Sequence, residues 1–189
     1  MENASPTTTP ADPHVAATRT WLERAVIGLN LCPFAKAVHI KDQVRFFVSA
    51  ASTPEELTAD LIQELLYLVS ADPAVLETTL LIHPHALQDF LDFNDFLEVV
   101  EQALVDLELD GEIQVASFHP KYQFAGSAPD DIENYTNRAP YPTLHLLREA
   151  SIDAAVLAFP DAADIFDKNI RTMQQLGHEG WRHLLTQVT

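Results

Sequence analysis

The sequence predicts an α/β fold, a small sheet of about three to five strands covered by helices. Three observations predict it. Thr78 to His83 (TTLLIH) is a continuous apolar run of the kind buried on both faces of a sheet, and Ile113 to His119 (IQVASFH) is a further strand that ends like it. The segments around the first of these runs carry long amphipathic helical patterns. With 189 residues, 47% of them hydrophobic, the chain can bury a substantial core as a single domain.

Residues 1–11 (MENASPTTTPA) are rich in Thr and Pro and have little to bury, which predicts a flexible tail ahead of an α/β domain over 12–189. Asp12-Pro13 supplies an N-cap and a proline at the first helical position. Val15, Arg19, Leu22, Val26 and Leu29 then follow at helical spacing to about Asn30. Pro33 makes the next residues a rigid turn and pushes Cys32 toward an extended backbone. Val44 to Ser49 (VRFFVS) is a strand by its β-branched and aromatic content, and Ala37 to Lys41 fits a short antiparallel partner turned at Asp42-Gln43. Thr53-Pro54-Glu55-Glu56 is a capping box, and it opens a helix with Leu57, Leu61, Leu65, Leu68 and Val69 on one face. Asp72-Pro73 stops that helix.

After the Thr78 strand, Pro84 opens a helix over about His85 to Leu109. Its core stripe is Leu87, Phe90, Leu91, Leu97, Val100, Leu104 and Leu107, and Asp110-Gly111 is its stop. The two buried strands end alike, in LLIHP and ASFHP. Strands joined by long helices tend to run parallel, and such sheets place ligands at the carboxyl ends of their strands. His83 and His119 are therefore expected at one edge of the sheet, beside a pocket. Pro140-Tyr141-Pro142-Thr143 leads into a predicted short helix through Glu149. Ser151 to Phe159 fits either a helix or an edge strand, with its alanines favouring helix. Asp164 to Leu176 is helical with Gly177 as its stop, and Trp181, Leu184, Leu185 and Val188 predict a last amphipathic turn or two that packs back.

The stretch from Phe118 to Glu149 stands out, because loops that long without evident secondary structure are uncommon in compact domains and are usually functional or disordered. Its aromatic content argues against disorder. Charge narrows the partners. The formal net charge is -17, which disfavours nucleic acid and anionic membranes. No Lys or Arg occurs from Phe46 to Pro120, a span with fifteen Asp and Glu residues. A single cysteine, Cys32, fits a reducing compartment, and no long apolar run or basic-then-apolar leader occurs, so a cytoplasmic location is expected.

On a helix starting near Tyr141, the residues Tyr141, His145 and Arg148 share a face. Asn137 and Arg138 would precede it, where free amides and the helix dipole favour an anion. These residues make a candidate cradle for a phosphate or carboxylate, against the alternative of a polar network that pins the loop. Arg138 and Arg148 equally fit internal salt bridges. His119 and His145 are candidates for proton transfer, though a histidine before proline also suits capping of backbone carbonyls. Cys32 is a candidate nucleophile, or a small buried apolar residue. No paired-cysteine or HExxH pattern supports a metal, and no glycine-rich phosphate loop or G-x-S-x-G elbow is present, so no cofactor is assigned.

These segments also carry a resemblance. Gly28-Leu29-Asn30-Leu31-Cys32-Pro33-Phe34-Ala35, Ala116-Ser117-Phe118-His119-Pro120 with Tyr122-Gln123-Phe124, and Asn134-Tyr135-Thr136-Asn137-Arg138 running on to His145-Leu146-Leu147-Arg148-Glu149 resemble a bacterial family catalogued only as a domain of unknown function. The resemblance covers about His14 to Gly177 and implies no assigned reaction, so no catalytic residue carries over from it. The expected function is an enzyme or binding protein for a small anionic metabolite, with its site in the 118–149 stretch. The competing expectation is a non-catalytic interaction module whose acidic surface meets a basic partner.

Overall fold

The computed structural model describes residues 12–158 and 164–186, so the proposed tail at 1–11, Phe159 and Val188 lie outside the described residues. A four-stranded sheet runs in the order β1 (Val44–Val48), β2 (Thr78–Ile82), β4 (Thr143–Arg148), β3 (Ile113–Phe118). β1 and β2 are parallel, and β4 is antiparallel to both β2 and β3. β2 and β3 therefore point the same way, and His83 and His119 do follow them at one edge of the sheet.

Helices cover both faces. On one, Phe47, Leu81, Leu144 and Leu146 meet α3 (Pro54–Ser70) and α4 (Phe90–Asp106), and Leu57, Leu61, Leu65 and Leu68 of α3 are each 0% exposed. On the other, Phe46, Leu80 and Ile82 meet α1 (Pro13–Trp21), the π-turn that continues it (Leu22–Ile27), and α6 (Ile165–Thr186). α1 and α3 start as their sequences predict: Asp12 accepts from the amides of His14 and Val15, and Thr53 accepts from the amide of Glu56. α6 breaks at Gly177, whose φ of 65° only glycine adopts readily, and Trp181, Leu184 and Leu185 beyond it pack back onto the core. α5 (Glu149–Ala158) settles the 151–158 segment as helix. Among the described residues no helix is long and apolar enough to cross a membrane.

Two residues expected on core stripes face outward, Leu91 at 70% and Val69 at 37% exposed, because the buried rows of their helices run through Phe93, Phe96 and Val100 and through Leu61, Leu65 and Leu68. Three elements also depart from expectation, each for a physical reason. Ala37 to Lys41 is not a strand: 37–40 belong to α2 (Ala35–Ile40), whose Ala35 and Ala37 favour helix, Lys41 caps it, and Asp42, at φ 56°, follows the cap instead of turning a hairpin. β1 is left as an edge. The helix expected from His85 begins only at Phe90, since Leu87 sits at φ 54° and the carboxylate of Asp89 accepts from the amides of Leu91 and Asp92 as the cap. The largest departure is at 143–148, a strand rather than a helix: β2 and β3 leave an open slot, and β4 fills it by pairing along both edges.

A buried ion pair fastens α3 to β1. The Nε of Arg45 donates to Glu64 at 2.7 Å and its Nη2 at 3.1 Å, with the Glu64 side chain 1% exposed. The guanidinium also lies over the rings of Tyr67 and Phe47. Removing Arg45 would leave Glu64 charged and buried, so Arg45→Ala is expected to cost about 3–5 kcal/mol in urea unfolding. Leu65→Ala should cost about 2–5 kcal/mol, whereas Leu66→Ala, one position round the same helix, should cost well under about 1 kcal/mol. Equal losses at Leu65 and Leu66 would show that α3 presents a different face to the sheet.

Candidate functional site

A cleft of about 500 Å³ opens beside the carboxyl end of β3. Three pieces of chain build it. The π-turn delivers Leu31 and Cys32; the amides of Gly28 and Leu31 reach back five residues to the carbonyls of Glu23 and Val26. Gly28 has no substitute there, because a Cβ would lie 2.2 Å from the carbonyl oxygen of Arg24. The second piece is the segment from Phe118 through Phe124–Ser127 to the 3₁₀ helix Ile132–Asn137, which contributes Asp131, Glu133, Thr136 and Asn137. The third is α6, with Phe166, Asn169 and Ile170; the Asn169 amide donates to the carbonyl of Leu31 at 2.9 Å.

Asn134 organises the second piece. The residue is fully buried. Its Oδ1 accepts from the amide of Phe124 at 3.0 Å and from the hydroxyl of Ser127 at 2.7 Å, and its Nδ2 donates to the carbonyl of Ala128 at 2.8 Å. The Asp131 carboxylate accepts from the amide of Ala128 at 2.7 Å. Among the described residues, no hydrogen bond reaches the carboxylate of Glu133. A buried asparagine in a loop is the sequence signal that could have pointed to this role, but nothing in the sequence tells Asn134 from Asn137.

The predicted site residues scatter. Cys32 and Asn137 both line the cleft, and the Asn137 amide also donates to the carbonyl of Ser117 at 3.3 Å. Arg138 turns toward backbone: Nε donates to Tyr122 at 3.1 Å, Nη2 to Pro129 at 2.6 Å, and the guanidinium lies 4.1 Å from the centre of the Tyr135 ring. Tyr141 packs edge-on against His14, 4.8 Å between ring centres. Arg148 stands at the far end of β4, where Nη2 donates to the carbonyls of Leu68, Ala71 and Leu76 at 2.5, 2.9 and 3.3 Å and so closes the carboxyl end of α3. The helical face expected for Tyr141, His145 and Arg148 does not exist. On a strand, residues 145 and 148 point to opposite faces of the sheet, and Asn137 and Arg138 precede no helix.

The histidines hold backbone. The ring of His119 is packed by Phe90 and Phe93, its Nδ1 accepts from the amide of Lys121 at 3.0 Å, and its Nε2 faces the carbonyl of Leu87 at 3.2 Å and donates to it. His83, stacked on the other contact of Phe93, donates from Nδ1 to the carbonyl of Ala86 at 3.1 Å. Together they secure the left-handed turn at Leu87. The hydroxyl of Thr78 donates to the carbonyl of Leu146 at 2.6 Å, so the 2.7 Å contact with His145 is the Nε2–H of that ring donating to Thr78. Burial pushes His83 and His145 down to about 4 and lowers His119 as well, the last with Lys121 adding to the effect. Among the described residues no group of three or more His, Cys, Asp or Glu side chains is placed to hold a metal ion.

His83 and His145 are neutral when folded and take up protons when unfolded, so the stability they confer is complete above the ordinary value of 6.5 and is lost as pH falls toward about 4. The unfolding free energy from chemical denaturation should fall steadily over that window, by up to about 1.4 kcal/mol per pH unit for a fully buried ring such as His83. A flat profile would mean that the rings are not held neutral.

No curated protein and no solved structure matches the chain. A family model described as "Protein of unknown function (DUF1415)" matches residues 14–183, a span that takes in the π-turn, all four strands, the Asn134 loop and the cleft-lining part of α6; the chain belongs to that family.

Proposed function

We propose that the protein binds a small molecule in the cleft between the π-turn, the 118–137 segment and α6, and that this ligand presents an amine or several hydroxyls. The observation that supports this is the charge of the lining. Asp131 and Glu133 bring two carboxylates, and among the described residues no Lys, Arg or His lines the cleft. The small-anion reading relied on Arg138 and Arg148, and both guanidiniums are occupied by backbone carbonyls away from the cleft. An anion in the cleft would face carboxylates with no compensating cation, whereas a protonated amine would gain charge-assisted hydrogen bonds. Asn137, Asn169, Ser127 and Thr136 add groups that suit hydroxyls.

Cys32 supplies the reporter, since its thiol lines the same cleft. A thermal-shift screen should contain polyamines, amino sugars, polyols and nucleosides, set against phosphates and dicarboxylates. A ligand that binds only the folded state raises the melting temperature by mass action. The expected hit is an amine or polyol that also slows alkylation of Cys32 and binds about tenfold more weakly to Glu133→Gln. Hits confined to phosphates or carboxylates and lost in Arg138→Ala would overturn this reading and return the site to the arginines.

A further inference from the structure

We propose that the furrow between α3 and α4, on the face of the sheet opposite the cleft, is a docking site for a basic amphipathic helix of a partner protein. The furrow encloses about 320 Å³ and is lined by Thr58 and Ile62 of α3 and by Glu98, Val99, Gln102 and Asp106 of α4. Its apolar surface continues along α3: Leu66 is 51% exposed and Val69 37% exposed, and both follow Ile62 at helical spacing, on the same flank. Val99 on the facing helix is 41% exposed. An apolar channel between two parallel-sided ridges suits a helix laid into it, with its anchors repeating every three or four residues.

The rim decides what chemistry that helix carries. Glu98 and Asp106 flank the channel, and Asp106 accepts from the side-chain amide of Gln102 at 2.7 Å. Neither carboxylate forms an ion pair among the described residues, and both helices belong to the stretch from Phe46 to Pro120, which has fifteen Asp and Glu residues and no Lys or Arg. A cationic partner would therefore be steered to this face and held there, with aliphatic side chains in the channel and Lys or Arg on the rim. A second copy of this chain is a poor occupant, since a two-fold contact would set the same acidic rim against itself. Nucleic acid and anionic lipid are repelled by the same charge.

The test is fluorescence anisotropy of the full chain with a labelled Leu/Lys peptide of about fourteen residues, about four helical turns, patterned to form one apolar face. A scrambled peptide of the same composition is the control for charge alone. The amphipathic peptide is expected to bind about tenfold more tightly than the scrambled one, with both weakened by salt. Val99→Arg, which crowds the channel at an exposed position, and Glu98→Lys/Asp106→Lys should each erase that preference. Glu101→Lys/Asp110→Lys, the same charge change at exposed positions outside the channel, should keep it. Equal affinity for the two peptides, or equal weakening by the two lysine pairs, would overturn the proposal by reducing binding to net charge. Concentration-dependent self-association that Val99→Arg abolishes would overturn it in favour of a second copy.

Discussion

The fold depends on β4 entering between β2 and β3. Without it, β2 and β3 each present an unpaired edge inside the molecule, with backbone donors and acceptors that water cannot reach. Pairing on both sides satisfies those groups, and it also fixes everything that hangs on the strand. Leu144 and Leu146 are turned onto α3 and α4, His145 to the other face, and Arg148 to the carboxyl end of α3. The preceding residues, 119–142, must then travel from the end of β3 back to the same edge of the sheet. That return path is what forms one wall of the cleft.

At that edge polar side chains settle backbone. His83 and His119 follow their strands directly, and their rings share Phe93. Each donates to a carbonyl of the short turn that carries Leu87 in a left-handed conformation, a state that costs a branched residue of this kind about 1 kcal/mol or more. Two neutral rings hold a strained turn that a single one would hold less firmly. Asn134 performs the corresponding task for the cleft loop, with its side-chain oxygen and nitrogen both engaged. A buried amide with all its groups satisfied fixes one loop conformation, because every alternative leaves a donor or acceptor unpaired.

What the sequence made legible follows from where the information lies. α1, α3, β2, β3 and the Gly177 break are specified locally, by a cap, a proline, a glycine or an uninterrupted apolar run, and all of them are found. The common edge for His83 and His119 was readable too, since it needs only that β2 and β3 point the same way. β4 was not readable, because Leu-His-Leu-Leu has as much helical as extended character and the slot that decides between them belongs to two other strands. The same error moved the site: once 143–148 is a strand, the spacing that gathered Tyr141, His145 and Arg148 separates them. Of the predicted site residues, Cys32 and Asn137 come together because the π-turn and the 3₁₀ helix bring them there, and neither element has a signature that spacing alone reveals.

The treatment of cations links the two ends of the molecule. In a chain with eleven Lys and Arg against twenty-eight Asp and Glu, an arginine turned inward is a positive charge withdrawn from the surface. Arg45 is held by Glu64 beneath α3, Arg148 by the carbonyls at the end of that helix, and Arg138 by the carbonyls of Tyr122 and Pro129. Arg45 and Arg138 each use two nitrogens of the planar guanidinium, whereas Arg148 makes its three contacts through Nη2 alone. The consequence is electrostatic. The arginines that carried the argument for an anion site serve the scaffold, while the carboxylates of Asp131 and Glu133 in the cleft and of Glu98 and Asp106 on the outer helices have no cation of their own beside them. The inward use of arginine thus leaves both concave surfaces acidic, and the two binding proposals rest on that shared electrostatic consequence.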